Sequence, residues 1–314
     1  MQRRSDEALI AARAMMLLLS SGATKSRDPM YRRIGAAVSA LGSAEVALNA
    51  IPNGDLAWDV DLFVASTIGE ARTKATEEVA AWTEAGWRAL VLGEEAYPQQ
   101  LAEMIDAPPL LFVTGAGRIL NQPGIAIVGA RSASPEGIRR AGKAARILAE
   151  AGLVVYSGLA RGIDAAAHSG ALAVRGLTVA VMGTPIDRRY PAENAGLAEQ
   201  ITAHGGALVT EYAPSEPTKP WNFLRRNRTM SGLALATLVI EASETSGARS
   251  QARVALERGR PVFLPQSLVD RHAWARHMIE VGHSGSRAVL VQRPEDIATA
   301  LASAVSAKSS GAAF

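Results

Sequence analysis

From residue 125 onward, short apolar runs rich in β-branched residues alternate with longer stretches whose apolar positions recur every three to four residues. The runs at 125–128, 153–156, 178–182, 207–211, 237–241, 262–264 and 288–291 read as buried strands of a parallel sheet. The stretches at 135–151, 162–174, 194–204, 223–235, 246–258, 270–281 and 294–305 read as helices. Two extended runs, 87–92 and 110–114, precede them, separated by a short helical segment that opens at Tyr97-Pro98 and ends at Ala107-Pro108-Pro109. Before residue 87 the period is helical throughout. Helices are expected over 5–21, with Ser5 as cap and Leu9, Ala12, Met16 and Leu19 on one face, and over 28–41, 56–65 and 67–85, the last ended by Gly86. The pattern predicts an α/β chain: a small helical N-terminal domain over 1–86 and a doubly wound, mostly parallel sheet over 87–305. The Ser-, Gly- and Ala-rich stretch 306–314 is expected to be a disordered tail.

The stretch Gly124 to Gly137, GIAIVGARSASPEG, organises this pattern. A buried strand ends at Val128, and Gly129 leads into the polar turn Ala130-Arg131-Ser132-Ala133. Ser134 is placed to cap a helix with Pro135 at its first position and Glu136 in its first turn. Such a corner brings free N–H groups and the positive end of a helix to one spot, so an anion is expected there, with Arg131 adding a full charge. The glycines do not follow G-x-G-x-x-G, so the ordinary dinucleotide fingerprint is absent.

Ligands of open α/β sheets bind beyond the carboxyl ends of the strands. The residues that follow each strand are therefore the candidates. They are Gly129, Arg131 and Ser132; Ser157, Gly158, Arg161 and Gly162; the run from Gly183 to Pro191; Arg225, Asn227 and Arg228; and, after Glu241, Ser246, Gly247 and Arg249. Glycine admits close backbone approach, and arginine recurs on nearly every loop of that edge.

Composition narrows the chemistry. The 314 residues carry a formal net charge of +3, which suits an anionic partner without requiring one. The chain has no cysteine, which excludes disulfides, cysteine-ligated zinc, iron–sulfur clusters and a cysteine nucleophile. Aromatics make up 5%, so widespread base stacking is not expected. Asp6 and Glu7 follow Arg3-Arg4, and Arg13 precedes the apolar stretch 14–19, so that region does not read as a signal peptide. No run reaches about 18 uninterrupted apolar residues, so no membrane span and a cytoplasmic location are expected.

Several motifs together resemble the DprA/Smf family of DNA-processing proteins. They are IVGAR, SGLARGIDAAAH, GTPIDRRYPxxN, FLRRNRTMSGL, VIEAxxxSG and GRPVF, preceded by Tyr97-Pro98 and by Asp106-Ala107-Pro108-Pro109-Leu110-Leu111-Phe112. They fall in order from about Trp87 to Ala300. The resemblance implies an extended Rossmann-like domain that binds single-stranded DNA, loads the recombinase RecA, forms homodimers and protects incoming DNA in transformation. By motif position it carries basic binding residues over to Arg131, Arg161, Arg225 and Arg228. The chain departs from the family at Ser246-Gly247-Ala248-Arg249, where SGSL is usual, at Pro185 and at Gln266, each in place of a glycine. The C-terminal winged helix of many members is expected to be absent. The expected site is an Arg-lined groove, with phosphates on backbone N–H groups of 129–132 and 158–162 and those four arginines neutralising charge.

Enzymatic chemistry is the competing reading. Ser157, Asp164 and His168 supply triad chemistry, but no G-x-S-x-G surrounds the serine. His272, His277 and His283 do not share a helical face, which argues against zinc. The alternative is a nucleotide sensor or a nucleotide-cleaving protein similar to the LOG phosphoribohydrolases, in a role such as phage defence. Yet the stretch Glu244 to Gln251 has one glycine and no closing carboxylate for acid–base work. The expectation is a non-enzymatic DNA binder with no cofactor and no metal.

Overall fold

The apolar runs assemble into one nine-stranded sheet, in a computed structural model that describes residues 2–20, 27–51 and 65–309. Four helices come first: α1 (Gln2–Ser20), α2 (Asp28–Leu41), α3 (Ala44–Ala50) and α4 (Ala65–Glu84). Then follow β1 (Arg88–Val91), α5 (Gln99–Ala102), β2 (Leu110–Gly115), β3 (Gly124–Val128), α6 (Pro135–Glu150), β4 (Val154–Ser157), α7 (Ile163–Ala173) and β5 (Thr178–Val181). The chain continues through α8 (Ala195–Ala203), β6 (Ala207–Thr210), α9 (Asn222–Leu233), β7 (Ala236–Val239), α10 (Gly247–Glu257) and β8 (Val262–Pro265). It ends with α11 (Gln266–Arg271), α12 (Ala273–Glu280), β9 (Val289–Val291) and α13 (Pro294–Ser309).

The strand order is β1-β2-β6-β5-β4-β3-β7-β8-β9. The seven strands from β6 to β9 are parallel, while β1 and β2 add an antiparallel pair beside β6. From β3 the chain winds outward to β4, β5 and β6, then returns to the other side of β3 for β7, β8 and β9. The switch point therefore lies between β3 and β7, paired in register from Ile125↔Ala236 to Val128↔Val239. A crevice is expected past their carboxyl ends.

Alternation along the strands sorts the core onto two faces. Ile125, Ile127, Val155 and Leu238 pack beneath α6, α7 and α13. Ala126, Val128, Val154 and Val239 face the other way, into a core that also contains Met15, Tyr31, Leu48 and Trp82 of the N-terminal helices. Trp82 meets Phe112 of β2 edge to face at 4.9 Å between ring centroids. Among the described residues no helix is long and apolar enough to cross a membrane.

Four local expectations are corrected or fall outside the described residues. Ser5 lies inside α1, which starts at Gln2, and so is not its cap. The expected helix 56–65 falls outside the described residues except for Ala65. The single helix expected over 270–281 is two, because His272 is extended (φ −127°, ψ 125°) between α11 and α12. Lys308 and Ser309 belong to α13, and 310–314 lie outside the described residues. One helix, α3, went unread: it is only seven residues long, and Ser43 caps it by accepting from the Val46 N–H at 3.2 Å.

A buried ion cluster joins the N-terminal helices to the sheet. Asp106, only 2% exposed, receives Arg225 at 2.8 Å, Arg228 at 3.3 Å and Arg258 at 2.5 Å. Arg225 also pairs with Asp28 of α2 at 2.5 Å and with Glu211 at 3.2 Å, and lies 4.6 Å over the Tyr31 ring. Arg27 pairs with Glu216 and lies 4.7 Å over Tyr212. Four guanidinium groups thus face four carboxylates, which is how charges survive burial. Burial by itself would raise the Asp106 pKa, but Arg225 and Arg258 hold it below the ordinary carboxylate range.

Removing Asp106 takes a carboxylate from three guanidinium groups and leaves Arg258 without an ion pair among the described residues. Asp106→Ala is expected to lower unfolding stability by about 3–5 kcal/mol in urea denaturation at neutral pH. The sign with pH follows from the depressed pKa. The contribution of Asp106 is fully present above about pH 5 and is lost as pH falls through its folded pKa, so the gap between variant and wild type should narrow in acid. A gap that stays constant down to pH 3 would contradict this.

Candidate nucleic-acid interface

Past the carboxyl ends of β3 and β7 lies a cavity of about 1020 Å³, at the switch point. The turn after β3, the loop after β5, α9 and the N-terminus of α10 form its walls.

The corner at the start of α6 folds as its sequence dictates, and it is already filled. Ser134 is extended (φ −67°, ψ 156°), and its Oγ accepts from the Gly137 N–H at 3.0 Å. The Glu241 carboxylate sits on the same corner. It accepts from the Ser134 N–H at 3.1 and 3.3 Å and from the Ser134 hydroxyl at 2.6 Å. The Ala130 N–H donates to the Glu241 carbonyl at 2.7 Å. On the second expected cradle, the Gly158 and Ala160 N–H groups donate to Asp164 Oδ2 at 3.1 and 3.4 Å. The expected cradle is corrected in part: in 158–162 the Asp164 carboxylate takes the Gly158 and Ala160 N–H groups, in 129–132 the Ala130 N–H goes to a backbone carbonyl, and the helix N-terminus beside that turn holds Glu241.

Positive side chains then define the cavity. Five cations line it, Arg131, Arg188, Lys219, Arg226 and Arg271, against two carboxylates, Asp164 and Glu241. Arg131 is exposed at the mouth, has no carboxylate within ion-pair distance among the described residues, and lies 5.5 Å over the Phe223 ring. Phe223 in turn leans on Tyr190, with centroids 5.6 Å apart. Arg226 forms the floor. It is 7% exposed and donates to the Val181 carbonyl at 2.7 Å and to Asn227 Oδ1 at 3.2 Å. Gly158 lies directly beneath it, where any Cβ would run into the guanidinium. Burial raises the Asp164 pKa, opposed by Arg226 and by the two backbone donors.

Of the residues expected from the sequence, Gly129, Arg131, Ser132, Asn227, Ser246 and Gly247 line the cavity. Asn227 ties two walls together, donating from Nδ2 to the Gly247 carbonyl at 3.3 Å. The others lie elsewhere. Ser157 is fully buried and spends its hydroxyl proton on the Ile127 carbonyl at 2.6 Å. Gly162 (φ 70°) crosses against the Ala130 and Arg131 carbonyls, an approach that a side chain would block. Arg161 is paired with Glu193 at 2.5 Å, and Arg249 with Glu244 at 3.1 Å. Arg225 and Arg228 belong to the buried ion cluster, away from the cavity. His168 donates from Nδ1 to the Thr178 hydroxyl at 2.7 Å, since that hydroxyl itself donates to the Val155 carbonyl. Burial brings the His168 pKa down to about 3, so it is neutral and bonded to threonine rather than to Ser157.

Sequence reasoning placed Tyr190 in a candidate run without a role for its ring, and did not single out Arg226, Lys219, Phe223 or Arg271. Arg225 and Arg226 are adjacent, but successive helical residues point about 100° apart, so only one of them can face the cavity. The sequence alone does not say which.

A family model described as DNA recombination-mediator protein A matches residues 88–302. Protein Smf of Escherichia coli K12 is 40% identical over 227 residues, covering 71% of this chain and 59% of that protein. DNA processing protein DprA of Streptococcus pneumoniae is 39% identical over 191 residues, covering 60% of this chain and 67% of that one. The chain therefore spans about three fifths to two thirds of the length of these relatives. The solved structure of the pneumococcal DprA superposes with a TM-score of 0.67 at 30% identity, covering 90% of this chain and 95% of that chain. DNA processing protein A of Helicobacter pylori, solved for its single-stranded DNA binding mode, superposes with a TM-score of 0.60 at 26% identity, covering 69% of this chain and 96% of that chain.

The filled corner can be emptied. Glu241→Ala is expected to lower stability by about 1.5–3 kcal/mol, the range for hydrogen bonds to a charged group. It also turns the α6 N-terminus into an open anion site. Inorganic phosphate should then raise the melting temperature of the variant more than that of the wild type. Equal shifts for both proteins would mean that Glu241 does not hold an anion position.

Proposed function

Because the chain belongs to the DNA recombination-mediator protein A family, we propose that it binds single-stranded DNA in the cavity at the β3–β7 switch point, without catalysing a reaction. One observation carries this reading: Arg131 stands unpaired at the mouth, stacked on Phe223, above a buried Arg226, in a lining with an excess of three positive charges. Guanidinium groups give phosphates charge-assisted, bidentate bonds. The exposed Tyr190 ring offers a face to an unstacked base, which a single strand can present and a duplex cannot. Phosphate contacts carry no sequence information, so binding that rests on them is largely independent of sequence.

The two carboxylates of the lining support a binder over an enzyme. Asp164 and Glu241 each accept hydrogen bonds from backbone N–H groups, so neither is free to move a proton. The family supports the wider role: protection of DNA and assistance to recombinase (RecA) loading during DNA uptake or recombination, by a cytoplasmic homodimer. In this reading the N-terminal helices, expected as a separate domain, share a core with the sheet and brace α9 through Asp28.

Binding should weaken steeply with salt, because it releases counterions. An affinity for oligothymidylate that stays flat between 50 and 200 mM salt would remove the cavity reading. Arg131→Ala should leave the melting temperature nearly unchanged and weaken binding about ten- to a hundredfold, with partial rescue by Lys. Arg225→Ala should do the reverse, with a marked loss of stability and, once corrected for folded fraction, little loss of affinity. An intact affinity in Arg131→Ala would sink the proposed role of that residue.

A further inference from the structure

Helix α6 begins where the cavity mouth ends, since Arg131 and Ser132 line the cavity and Ser134 caps the helix. Its sequence, PEGIRRAGKAARILAE, holds four cations and two carboxylates, a net +2 in a chain of net +3. Arg139, Lys143 and Arg146 stand at i, i+4 and i+7 on one exposed face, opposite the buried Ala141, Ala144 and Leu148. Lys143 and Arg146 have no ion pair among the described residues, and Arg139 shares Glu136 with Arg140. Arg139, Arg140 and Lys143 also edge a cleft of about 650 Å³.

Glu136 ties Arg139 and Arg140 to the first turn, but the rest of the arrangement does not serve the helix itself. A helix prefers carboxylates at its start and cations at its end. Here Arg139 and Arg140 lie in the second turn, the last turn has no basic residue, and Glu150 closes it. The three aligned cations span about 10 Å, over which a strand stacked as in a duplex carries about three phosphates.

We propose that the Arg139–Lys143–Arg146 face of α6 is a second contact track, which takes the phosphodiester backbone of a strand as it leaves the cavity past Arg131. The inference rests on the cavity reading above and extends it. The track lengthens the binding site without adding base recognition, because the face offers charge and no aromatic ring.

The test is the length dependence of affinity. Oligothymidylates of 6 and 20 nucleotides are titrated against wild type and the triple variant Arg139→Ala/Lys143→Ala/Arg146→Ala, with melting temperatures recorded to verify folding. The variant should bind the 6-mer as the wild type does and the 20-mer about tenfold more weakly. Its slope of log affinity against log salt for the 20-mer should be shallower by about 2, at about 0.7 per single-strand phosphate. Equal affinities of variant and wild type for the 20-mer overturn the track and leave the cavity reading standing. A loss of equal size for both lengths also overturns it, because the helix would then be acting on the cavity itself. Wild type that binds neither length removes the cavity reading, and the track with it.

Discussion

Two neighbouring arginines on α9 face two different worlds, and the structure depends on keeping them apart. Arg225 turns into the ion cluster with Asp106, Asp28 and Glu211, while Arg226, the next residue, turns toward the cavity floor beside Asp164. A helix fixes that divergence geometrically. What it does not fix is its own rotation, and Asp106 does that by drawing in Arg225, Arg228 and Arg258 at once. A buried guanidinium short of acceptors is costly, so the rotation that brings Arg225 to its carboxylates is favoured, and Arg226 follows, with the Val181 carbonyl and Asn227 Oδ1 as its acceptors. The N-terminal helices contribute to the site in this way without touching it.

The second constraint is the corner at the start of α6. Its free N–H groups and helix dipole create a strong preference for an anion, and Glu241 meets that preference from the end of β7, directly across the switch point. The two central strands are thereby fastened at the lip of the crevice. Positive potential in the cavity comes from long side chains instead of backbone, and such side chains can follow a flexible polymer.

Much of this was legible in the sequence. The seven parallel strands and their helices follow from β-branched runs alternating with 3.6-period stretches, and the motif order from Trp87 to Ala300 agrees with the family match over 88–302. The carboxyl edge of the sheet could be placed, because ligands of open α/β sheets bind there; which two strands flank the crevice could not, because the strand order is not written in the sequence. Arg131 could be placed because it directly follows the first parallel strand. The remaining arginines could not. Whether Arg161, Arg225 or Arg228 meets a ligand depends on Glu193 and Asp106, partners at separations that no local pattern encodes, and Arg249 is held by Glu244 from the loop just before it. The aromatic pair Tyr190 and Phe223 was hidden by a low overall aromatic content, which says nothing about clustering.

The distribution of charge has a consequence for how the molecule meets its ligand. The cavity lining carries +3 and α6 carries +2, so the rest of a +3 chain is together net −2. Positive charge is thus concentrated at the cavity and along the helix that starts at its mouth, so a polyanion that approaches this surface is steered toward the cavity, which raises the fraction of encounters that succeed.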